Sequence, residues 1–504
     1  MTCLLRVFVW LGLAGWLVSK SAAQTPDFSL VTAPWFETRT AHFHIYSCGA
    51  SPAVFKLAAR LEQFSRAYGW LAGTQALGSP PIAVVAFPDR DALKPFLPLY
   101  AGQPANLAAF FKHGSDENLI VLSLPTGETD EDDLPVIFHE YSHLLFRHND
   151  QFWPLWLKEG MAEVYSTFAT EGGGVSIAGP IPRHLELLRE TPLLPLRELF
   201  AVTHDSPQYN ESSRQGIFYA ESWLLAEFLV AGNQPALRAR FGQYTGLLRE
   251  GQSAEAAFTN ALRITLPGMT AELQRYLANG EFPPLSLRVT GNLAAPVTIT
   301  THVMTPVEIY FRLGDELLRI NRLDAAAAFF DAAQSLAPAS PLPYEGQALL
   351  ALERDNPSAA LQMLTLALQH GSTSFLAYYT YAREQYKLTA EGGERYAPLH
   401  GAAAAEIRGN LEKSLDLMPD FAPAHELLGF FEMVQGDEPA EAEKQLQWAI
   451  QLEPENASYL YTMAQLQFRN GAPEAARQTL EPLLKPNVAA QLREHAETLI
   501  QENK

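Results

Sequence analysis

The sequence predicts an α+β domain followed by an all-α array of helical repeats. Between residues 30 and 235, segments of alternating apolar residues, which are typical of strands, are interspersed with segments whose apolar residues recur at helical spacing. From residue 306 to about residue 500, apolar and small residues recur with a period of 34, the length of a helix–turn–helix unit. Residues 236–305 are predicted as a helical extension and linker, Pro-rich at residues 282–284.

Residues 1–23 have the composition of a secretory signal peptide. Arg6 precedes an apolar stretch at residues 7–18, and Ser21, Ala22 and Ala23 supply the small residues of a cleavage site. A membrane anchor is the alternative, but the apolar stretch is shorter than the ~20 residues of a spanning helix. We therefore expect an exported protein, periplasmic or secreted, without a transmembrane segment after cleavage.

Composition limits both the class of protein and its partners. The 504 residues are 47% hydrophobic, which is enough for several packed domains and argues against disorder. The formal net charge of -20 argues against nucleic acid or anionic lipid as the main partner. Cys48 is the one cysteine that follows the signal peptide, so the fold has no internal disulfide and depends on its core.

The α+β domain begins with a predicted strand at residues 41–46 and a predicted amphipathic helix at residues 52–68. Apolar runs at residues 82–87 and 119–124 predict two buried strands. Helical spacing then extends from about residue 133 to residue 148, and the acidic residues 130–133 precede it. Negative charge is favourable at a helix N-terminus, so this cluster is interpreted as a cap in preference to a metal site.

The predicted helix contains the sequence His-Glu-Tyr-Ser-His. Because His139 and His143 are four residues apart, both imidazoles project from one face and can reach one cation, while Glu140 stands beside them to take a proton from a bound water. Zinc requires a third protein ligand. Glu159, on the next helical segment with 15 residues between it and His143, supplies a carboxylate for that position.

Glu163 lies one helical turn beyond Glu159 and is predicted to support the metal site indirectly. A carboxylate there can accept the outward N–H of a ligand histidine and fix its orientation. The alternative is a solvated acidic helix face. The residues around the pair, including Trp156, Met161 and Tyr165, are mostly apolar, and a buried carboxylate in such surroundings requires a partner.

These motifs resemble those of a known family. His-Glu-x-x-His followed by Trp-Leu-x-Glu-Gly-x-Ala-Glu resembles the gluzincin peptidases, specifically the peptidase MA-like domains fused to tetratricopeptide repeats in bacterial exported proteins. Residues 36–46, 86–89, 193–200 and 218–223 are also similar to that family, so the resemblance covers roughly residues 30–235 as well as the repeats. It implies a thermolysin-like zincin fold, with a small twisted sheet, two active-site helices and a helical subdomain. It also implies one Zn²⁺ bound by His139, His143 and Glu159, with Glu140 as general base.

A hydrolase of this kind also requires a donor for the developing oxyanion. Tyr219 is the candidate, because related enzymes use a phenol from the helical region downstream. His204 and Tyr209 are weaker candidates for the same role. The alternative for Tyr219 is an ordinary core tyrosine on an amphipathic helix.

The repeats resemble the tetratricopeptide family. Five units are predicted, the third with an insertion near residues 387–400, and small residues such as Gly314, Ala326 and Ala360 allow paired helices to approach closely. A generic Ala-rich bundle is the alternative. Arrays of this kind bind peptides or protein partners, so the repeats are expected to supply a binding surface and no chemistry.

The combined prediction is a zinc-dependent peptidase that acts on a peptide or protein. Metal aminopeptidases similar to this chain have a Gly-x-Met-Glu-Asn strand that captures the free amine, and no such segment precedes His139, so an endopeptidase is favoured. Two alternatives remain open. One is a non-catalytic, metal-stabilised scaffold of the cell envelope, and the other is hydrolysis of a non-peptide amide or ester.

Overall fold

The part of the chain that the computed structural model describes extends from residue 28 to residue 503. It omits residues 50–51, 73–81, 101, 106–108, 125–133, 147–151, 172–173, 204–205, 211, 233, 289–292, 294, 391–395, 437, 455, 486–487 and 489. The predicted signal peptide, the acidic cluster at residues 130–133 and the candidate His204 therefore lie outside the described residues. No described helix is long and apolar enough to cross a membrane.

A six-stranded mixed sheet forms the centre of the α+β region. Its strand order is β11-β1-β2-β3-β7-β6, with parallel pairing of β2 with β3 and of β3 with β7, and antiparallel pairing elsewhere. A second, three-stranded sheet has the order β10-β9-β8, and β4 pairs with β5. The strands are β1 (Trp35–Arg39), β2 (Phe43–Cys48), β3 (Ile82–Phe87), β4 (Leu99–Tyr100), β5 (Gln103–Pro104), β6 (Ala109–Lys112), β7 (Asn118–Ser123), β8 (Ala169–Glu171), β9 (Gly174–Ile177), β10 (Leu285–Arg288) and β11 (Thr300–Val303).

The helices of the α+β region pack on one face of the large sheet, except the short second helix, whose Leu93 joins the core on the opposite face. They are α1 (Pro52–Ala72), α2 (Arg90–Leu93), α3 (Leu134–Phe146), α4 (Leu155–Ser166), α5 (Pro182–Glu190), α6 (Leu196–Ala201), α7 (Pro207–Asn210), α8 (Ser212–Val230), α9 (Pro235–Arg249), α10 (Ala254–Leu262) and α11 (Leu266–Asn279). The predicted strands at residues 82–87 and 119–124 and the predicted helices at residues 52–68 and 133–148 agree closely with β3, β7, α1 and α3. The first predicted strand begins two residues too early.

Both faces of the large sheet are buried, because successive residues of a strand point to opposite faces. Val84 and Ile120, which are paired between β3 and β7, join a core with α1, α3 and α4. Val85 and Val121, the next pair along, join a second core on the opposite face. The strands therefore have the continuous apolar character of buried parallel strands.

Residues 236–305 belong to the same compact region. The sequence predicted this segment as a helical extension and linker, whereas α9 to α11 pack into the core that contains the metal-motif helices. Strand β10 completes the small sheet, and β11 pairs with β1 at the edge of the large one. The short strands escaped prediction because their side chains are largely exposed and show no apolar alternation.

The carboxy-terminal part consists of antiparallel helix pairs followed by one further helix. The helices are α12 (Pro306–Arg319), α13 (Leu323–Leu336), α14 (Leu342–Glu353), α15 (Pro357–Gln369), α16 (Phe375–Leu388), α17 (Ala402–Leu417), α18 (Ala422–Gln435), α19 (Pro439–Leu452), α20 (Ala457–Arg469), α21 (Pro473–Leu480) and α22 (Ala490–Glu502). A capping box of Thr305 and Glu308 begins the first helix. The predicted insertion falls between α16 and α17.

Small residues allow the paired helices to approach one another, as predicted. A Cβ atom on Gly314 or Gly346 would overlap the ring of Phe330, which is fully buried between their two helices. Ala326 on α13 and Ala348 on α14 are also fully buried. The repeat pattern in the sequence therefore corresponds to real contacts between neighbouring helix pairs.

The first helix pair covers the second face of the sheet. Leu313 and Phe330 pack against Trp35 and Phe87 in the core on that face. Charged contacts strengthen the attachment: Arg312 Nη1 donates to Glu117 Oε2 at 2.7 Å, and Arg319 Nη2 donates to Asp116 Oδ2 at 2.6 Å. The repeats are thus joined directly to the turn between β6 and β7.

Candidate metal centre

Helix α3 presents its histidines on the side that faces away from the core. Phe138 and Tyr141 are almost fully buried, and the ring of Phe138 stacks on Phe64 of α1 with centroids 4.7 Å apart. The side chains of His139 and His143 retain 12% and 23% exposure. Core packing thus fixes the rotation of the helix and leaves one face open for polar chemistry.

Helix α4 brings its carboxylates against this open face. Glu159 and Glu163 are 4% and 5% exposed, which is unusual burial for ionisable side chains. Gly160, between them in sequence, lies against α8, and a Cβ atom there would overlap the carbonyl oxygen of Ser222. The glycine therefore allows α4 and α8 to approach closely.

Three candidate ligand atoms converge in the space between α3 and α4. His139 Nε2 and His143 Nε2 are 3.2 Å apart, and Glu159 Oε2 lies 3.3 Å from the first and 3.5 Å from the second. Among the described residues, these three form the one group of histidine, cysteine and acidic side chains with the proximity of a metal site. The structure thus brings together all three residues that the sequence predicted as ligands.

The geometry of this cluster fits a tetrahedral zinc ion. Donor atoms that each lie about 2.0–2.1 Å from a tetrahedral centre are about 3.4 Å from one another, which is close to the separations found here. Glu159 Oε2 is also buried without a hydrogen bond of normal geometry. Two imidazoles and one carboxylate are the donor set of a catalytic zinc site, which keeps its fourth position for water or substrate.

The close approach of carboxylates and imidazoles in the cluster shifts their pKa values. Burial would by itself raise the pKa of Glu159, but the imidazoles of His139 and His143 outweigh it and hold the pKa well below its ordinary range. Burial disfavours the charged form of His139, yet neighbouring carboxylates, Glu159 first, outweigh burial and raise the pKa to about 9. A proton shared with the carboxylates therefore stabilises the metal-free cluster, and a divalent cation would compete with it.

Glu140, the predicted general base, is half-buried on α3 beside the ligand histidines. Burial raises the pKa of Glu140 above its ordinary value, although the imidazoles of His139 and His143 act in the opposite direction. A carboxylate whose pKa is raised towards neutrality is a better proton acceptor at physiological pH. The direction of this shift agrees with the predicted role of Glu140 as general base, which stays a prediction.

Tyr219 and Tyr209 lie side by side near the ligand cluster. The ring centroid of Tyr219, on α8, is 6.1 Å from that of His139, and the Tyr209 ring stacks on Tyr219 at 6.2 Å. Burial, followed by the charge of Glu159, strongly raises the pKa of Tyr219, and burial raises the pKa of Tyr209 to about 12. Both phenols therefore remain protonated and can donate hydrogen bonds towards the cluster.

Glu163 lies close to the candidate ligand His139, as its spacing predicted, and also to a residue that the sequence did not single out. Its Oε1 is 3.6 Å from His139 Nδ1, and its Oε2 is 3.4 Å from His184 Nε2. The pKa of Glu163 is lowered because these imidazoles outweigh the effect of burial. His184 is a lone histidine beside the buried Leu185 on α5, and such a residue carries no motif by which sequence alone would identify it.

Comparisons with known proteins bear on the repeats. A family model described as "Tetratricopeptide repeat" matches residues 433–494. No curated protein matches the chain. The helical array is similar to YrrB, described as a TPR protein with an unusual peptide-binding site, at 19% identity over 38% of this chain and 90% of that protein, with a TM-score of 0.31.

Two further solved structures give comparable values. PilF of Pseudomonas aeruginosa is 17% identical over 39% of this chain and 88% of its own, with a TM-score of 0.30. A thermophilic TPR protein of Thermus thermophilus is 20% identical over 39% of this chain and 99% of its own, with a TM-score of 0.29. The family match identifies tetratricopeptide repeats at residues 433–494, and the preceding helix pairs continue the same helical array. Repeats of this kind commonly bind peptides or protein partners.

Proposed function

We propose that this chain is a zinc-dependent peptide-bond hydrolase of the gluzincin type, with His139, His143 and Glu159 as the metal ligands. The observation that carries the proposal is the separation of the three donor atoms, 3.2 to 3.5 Å, which suits a tetrahedral zinc ion. The alternative explanation is a buried ion-pair cluster. It accounts less well for two imidazole nitrogens that both face one carboxylate oxygen lacking a normal hydrogen bond.

The residues around the cluster support hydrolysis. Zinc, when bound, supplies a Lewis acid that polarises a carbonyl group and makes water more acidic. Glu140 accepts the proton of the attacking water and passes it to the leaving amine, which its raised pKa favours. Tyr219, which remains protonated, donates a hydrogen bond to the developing oxyanion, and Tyr209 is the second candidate donor.

The position of β6 supports a peptide substrate. This strand is the last in the order of the six-stranded sheet, and it lies against α3, which carries the histidines. The outer edge of β6 has no partner strand among the described residues, so its backbone groups can pair with an extended peptide. An endopeptidase remains the favoured class, because pairing along a strand requires no free terminus.

The repeats add a second binding surface to this proposal. They select a substrate or hold a protein partner close to the metal centre, and the direct attachment of Arg312 and Arg319 to the turn after β6 supports such cooperation. Export directed by the predicted signal peptide at residues 1–23 would put this activity in the periplasm or outside the cell. The alternative function is a metal-stabilised scaffold whose repeats bind a partner without catalysis.

Peptidase assays on purified protein test the proposal. Casein and a broad peptide library are incubated with zinc-loaded protein, with chelated protein and with chelated protein after zinc is restored. We expect cleavage that chelation abolishes and zinc restores. Glu140→Gln should lower kcat by about 10²–10⁴-fold and still bind one zinc ion. Glu198→Gln, which changes an exposed helical glutamate of the same region, is the matched control and should leave kcat unchanged.

The outcomes separate the alternatives. Stoichiometric zinc binding without cleavage of any peptide would favour the scaffold. Cleavage confined to small esters or non-peptide amides would show that the substrate belongs to those classes and is not a peptide. Full activity in the Glu140→Gln variant would refute the assignment of the general base.

A further inference from the structure

The carboxylate of Glu163 lies between two imidazoles that come from different helices. Its Oε1 faces His139 Nδ1 of α3 at 3.6 Å, and its Oε2 faces His184 Nε2 of α5 at 3.4 Å. The side chains of Glu163 and His184 are each 6% exposed. The side chains of His139, Glu163 and His184 therefore form a row that links α3, through α4, to α5, a helix that contributes no candidate ligand.

The two ring nitrogens of His139 have different roles in this arrangement. Its Nε2 points to the candidate metal position, 3.3 Å from Glu159 Oε2. For that atom to offer a lone pair to a cation, the ring must carry its remaining proton on Nδ1. Glu163 Oε1 faces Nδ1 at 3.6 Å and is the carboxylate oxygen placed to accept that proton, so the orientation of Glu163 would influence both the tautomer and the tilt of the ligand ring.

His184 holds the other oxygen of the same carboxylate. Its ring packs near Trp223 with centroids 5.9 Å apart, which limits rotation of the imidazole. His184 Nε2 is buried and has no hydrogen-bond partner of normal geometry; Glu163 Oε2, at 3.4 Å, is the acceptor that faces it. Glu163 Oε2 is also approached by the Ser166 hydroxyl, but at 3.5 Å, and the Arg183 guanidinium, 4.0 Å from Oε1, is 73% exposed. The Ser166 hydroxyl also donates at 2.8 Å to the backbone oxygen of Glu163, so the buried imidazole is the group nearest to this carboxylate oxygen whose N–H has no shorter bond elsewhere.

We infer that His184 is a positioning residue of the metal centre, which orients Glu163 by an N–H donated to Oε2 and, through Glu163, orients the ligand His139. This inference rests on the proposed function and deepens it, because it assigns the metal affinity of the site partly to a residue outside the motif. Such partners of metal ligands commonly change metal affinity by about 10- to 100-fold.

Zinc affinity, measured on the full chain by competition with a chromophoric chelator, tests this inference without an assay of activity. Glu163→Gln and His184→Ala should each weaken zinc binding by about 10- to 100-fold, and the double variant should be little weaker than either single one, because both act through one contact. His184→Gln keeps an N–H donor and should recover most of the lost affinity.

His425→Ala is the matched control. His425 is 7% exposed and bonded to Gln445 and Pro419, so its removal disturbs a buried histidine of the repeats and should leave zinc affinity unchanged. Tight zinc binding that is equal in wild type and His184→Ala would overturn the inference and leave the proposed function intact. Failure of His184→Gln to recover affinity would also overturn it, because ring packing would then be responsible. Absence of zinc binding in the wild type would overturn both proposals.

Discussion

Two buried carboxylates, Glu159 in the candidate metal centre and Glu432 in the repeats, show how differently the two regions use charge. Their exposures are 4% and 3%. Glu432 receives two hydrogen bonds from Arg408, at 2.6 and 2.8 Å. Glu159 Oε2 instead faces two imidazole nitrogens at 3.3 and 3.5 Å. The two carboxylates are thus equally buried, but the one in the repeats is hydrogen-bonded to its partner, whereas the one in the candidate metal centre has only longer contacts with imidazoles.

The comparison separates structural charge from functional charge. A buried carboxylate is costly unless it is paired and hydrogen-bonded. The pair of Arg408 and Glu432 meets that requirement within the chain itself. The cluster around Glu159 meets it only in part, and its donor atoms have the separations that a tetrahedral zinc ion requires, which is why we propose a bound cation there.

The largest expected effect is stabilisation by zinc. At a free zinc concentration about 1,000 times the Kd, binding should raise the free energy of unfolding by about 4 kcal/mol, because zinc binds the folded cluster and not the unfolded chain. Thermal unfolding with zinc and with chelator measures the shift. His143→Ala should abolish this zinc-induced stabilisation.

Glu432→Gln is the control in the repeats. It should lower the free energy of unfolding in the absence of zinc by about 1–3 kcal/mol and leave the zinc-induced stabilisation intact, since its ion pair is independent of the metal. Stabilisation of the His143→Ala variant by zinc would contradict the distinction between the candidate metal centre and the ion pair of the repeats.

Gly160→Ala should have the next largest effect. The added methyl group meets the backbone oxygen of Ser222, so α4 must move away from α8, and the free energy of unfolding should fall by about 3 kcal/mol. Urea unfolding monitored by circular dichroism measures this change. Gly409→Ala is the matched control in the repeats: a Cβ atom there meets nothing within 4 Å, and the substitution should stabilise its helix by about 0.5–1 kcal/mol. Equal effects of the two substitutions would contradict the close approach of α4 and α8.

The last effect depends on pH and concerns a third kind of buried carboxylate. Glu221 is fully buried and accepts the Leu194 N–H at 2.7 Å, and burial raises its pKa to about 8. Because the folded pKa exceeds the ordinary value of 4.5, the stabilisation is complete below about pH 4.5 and is lost as pH rises towards 8.

Glu221→Gln should remove this pH dependence. The difference in unfolding free energy between variant and wild type should change by about 1.4 kcal/mol per pH unit between these limits, in favour of the variant at high pH. Urea unfolding at several pH values measures it, with Glu198→Gln as the exposed control. A constant difference across the range would show that Glu221 is already ionised at low pH.

Much of the fold was predictable because its signals are local. The 34-residue period identified the helix pairs, and the apolar runs identified β3 and β7, since both patterns are set by neighbouring residues. Strand β11 was not predictable, because its pairing with β1 joins residues far apart in the chain and its side chains are exposed. The covering of the second sheet face by the first repeat was missed for the same reason.

The site divides in the same way. His139, His143 and Glu159 belong to two adjacent helices, so spacing alone could predict that they meet. Tyr219 lies near them as expected, although its role remains a prediction. His184 was missed because its only link to the site is a contact made in three dimensions.

The pairing of β1 with β11 has a consequence for the order in which the protein is made. The first strand of the large sheet emerges from the ribosome early, but its outer neighbour is synthesised only when more than half of the chain exists. Contacts between such distant segments are slow to form. A nascent chain that has not reached residue 303 therefore lacks the strand that covers the outer edge of β1.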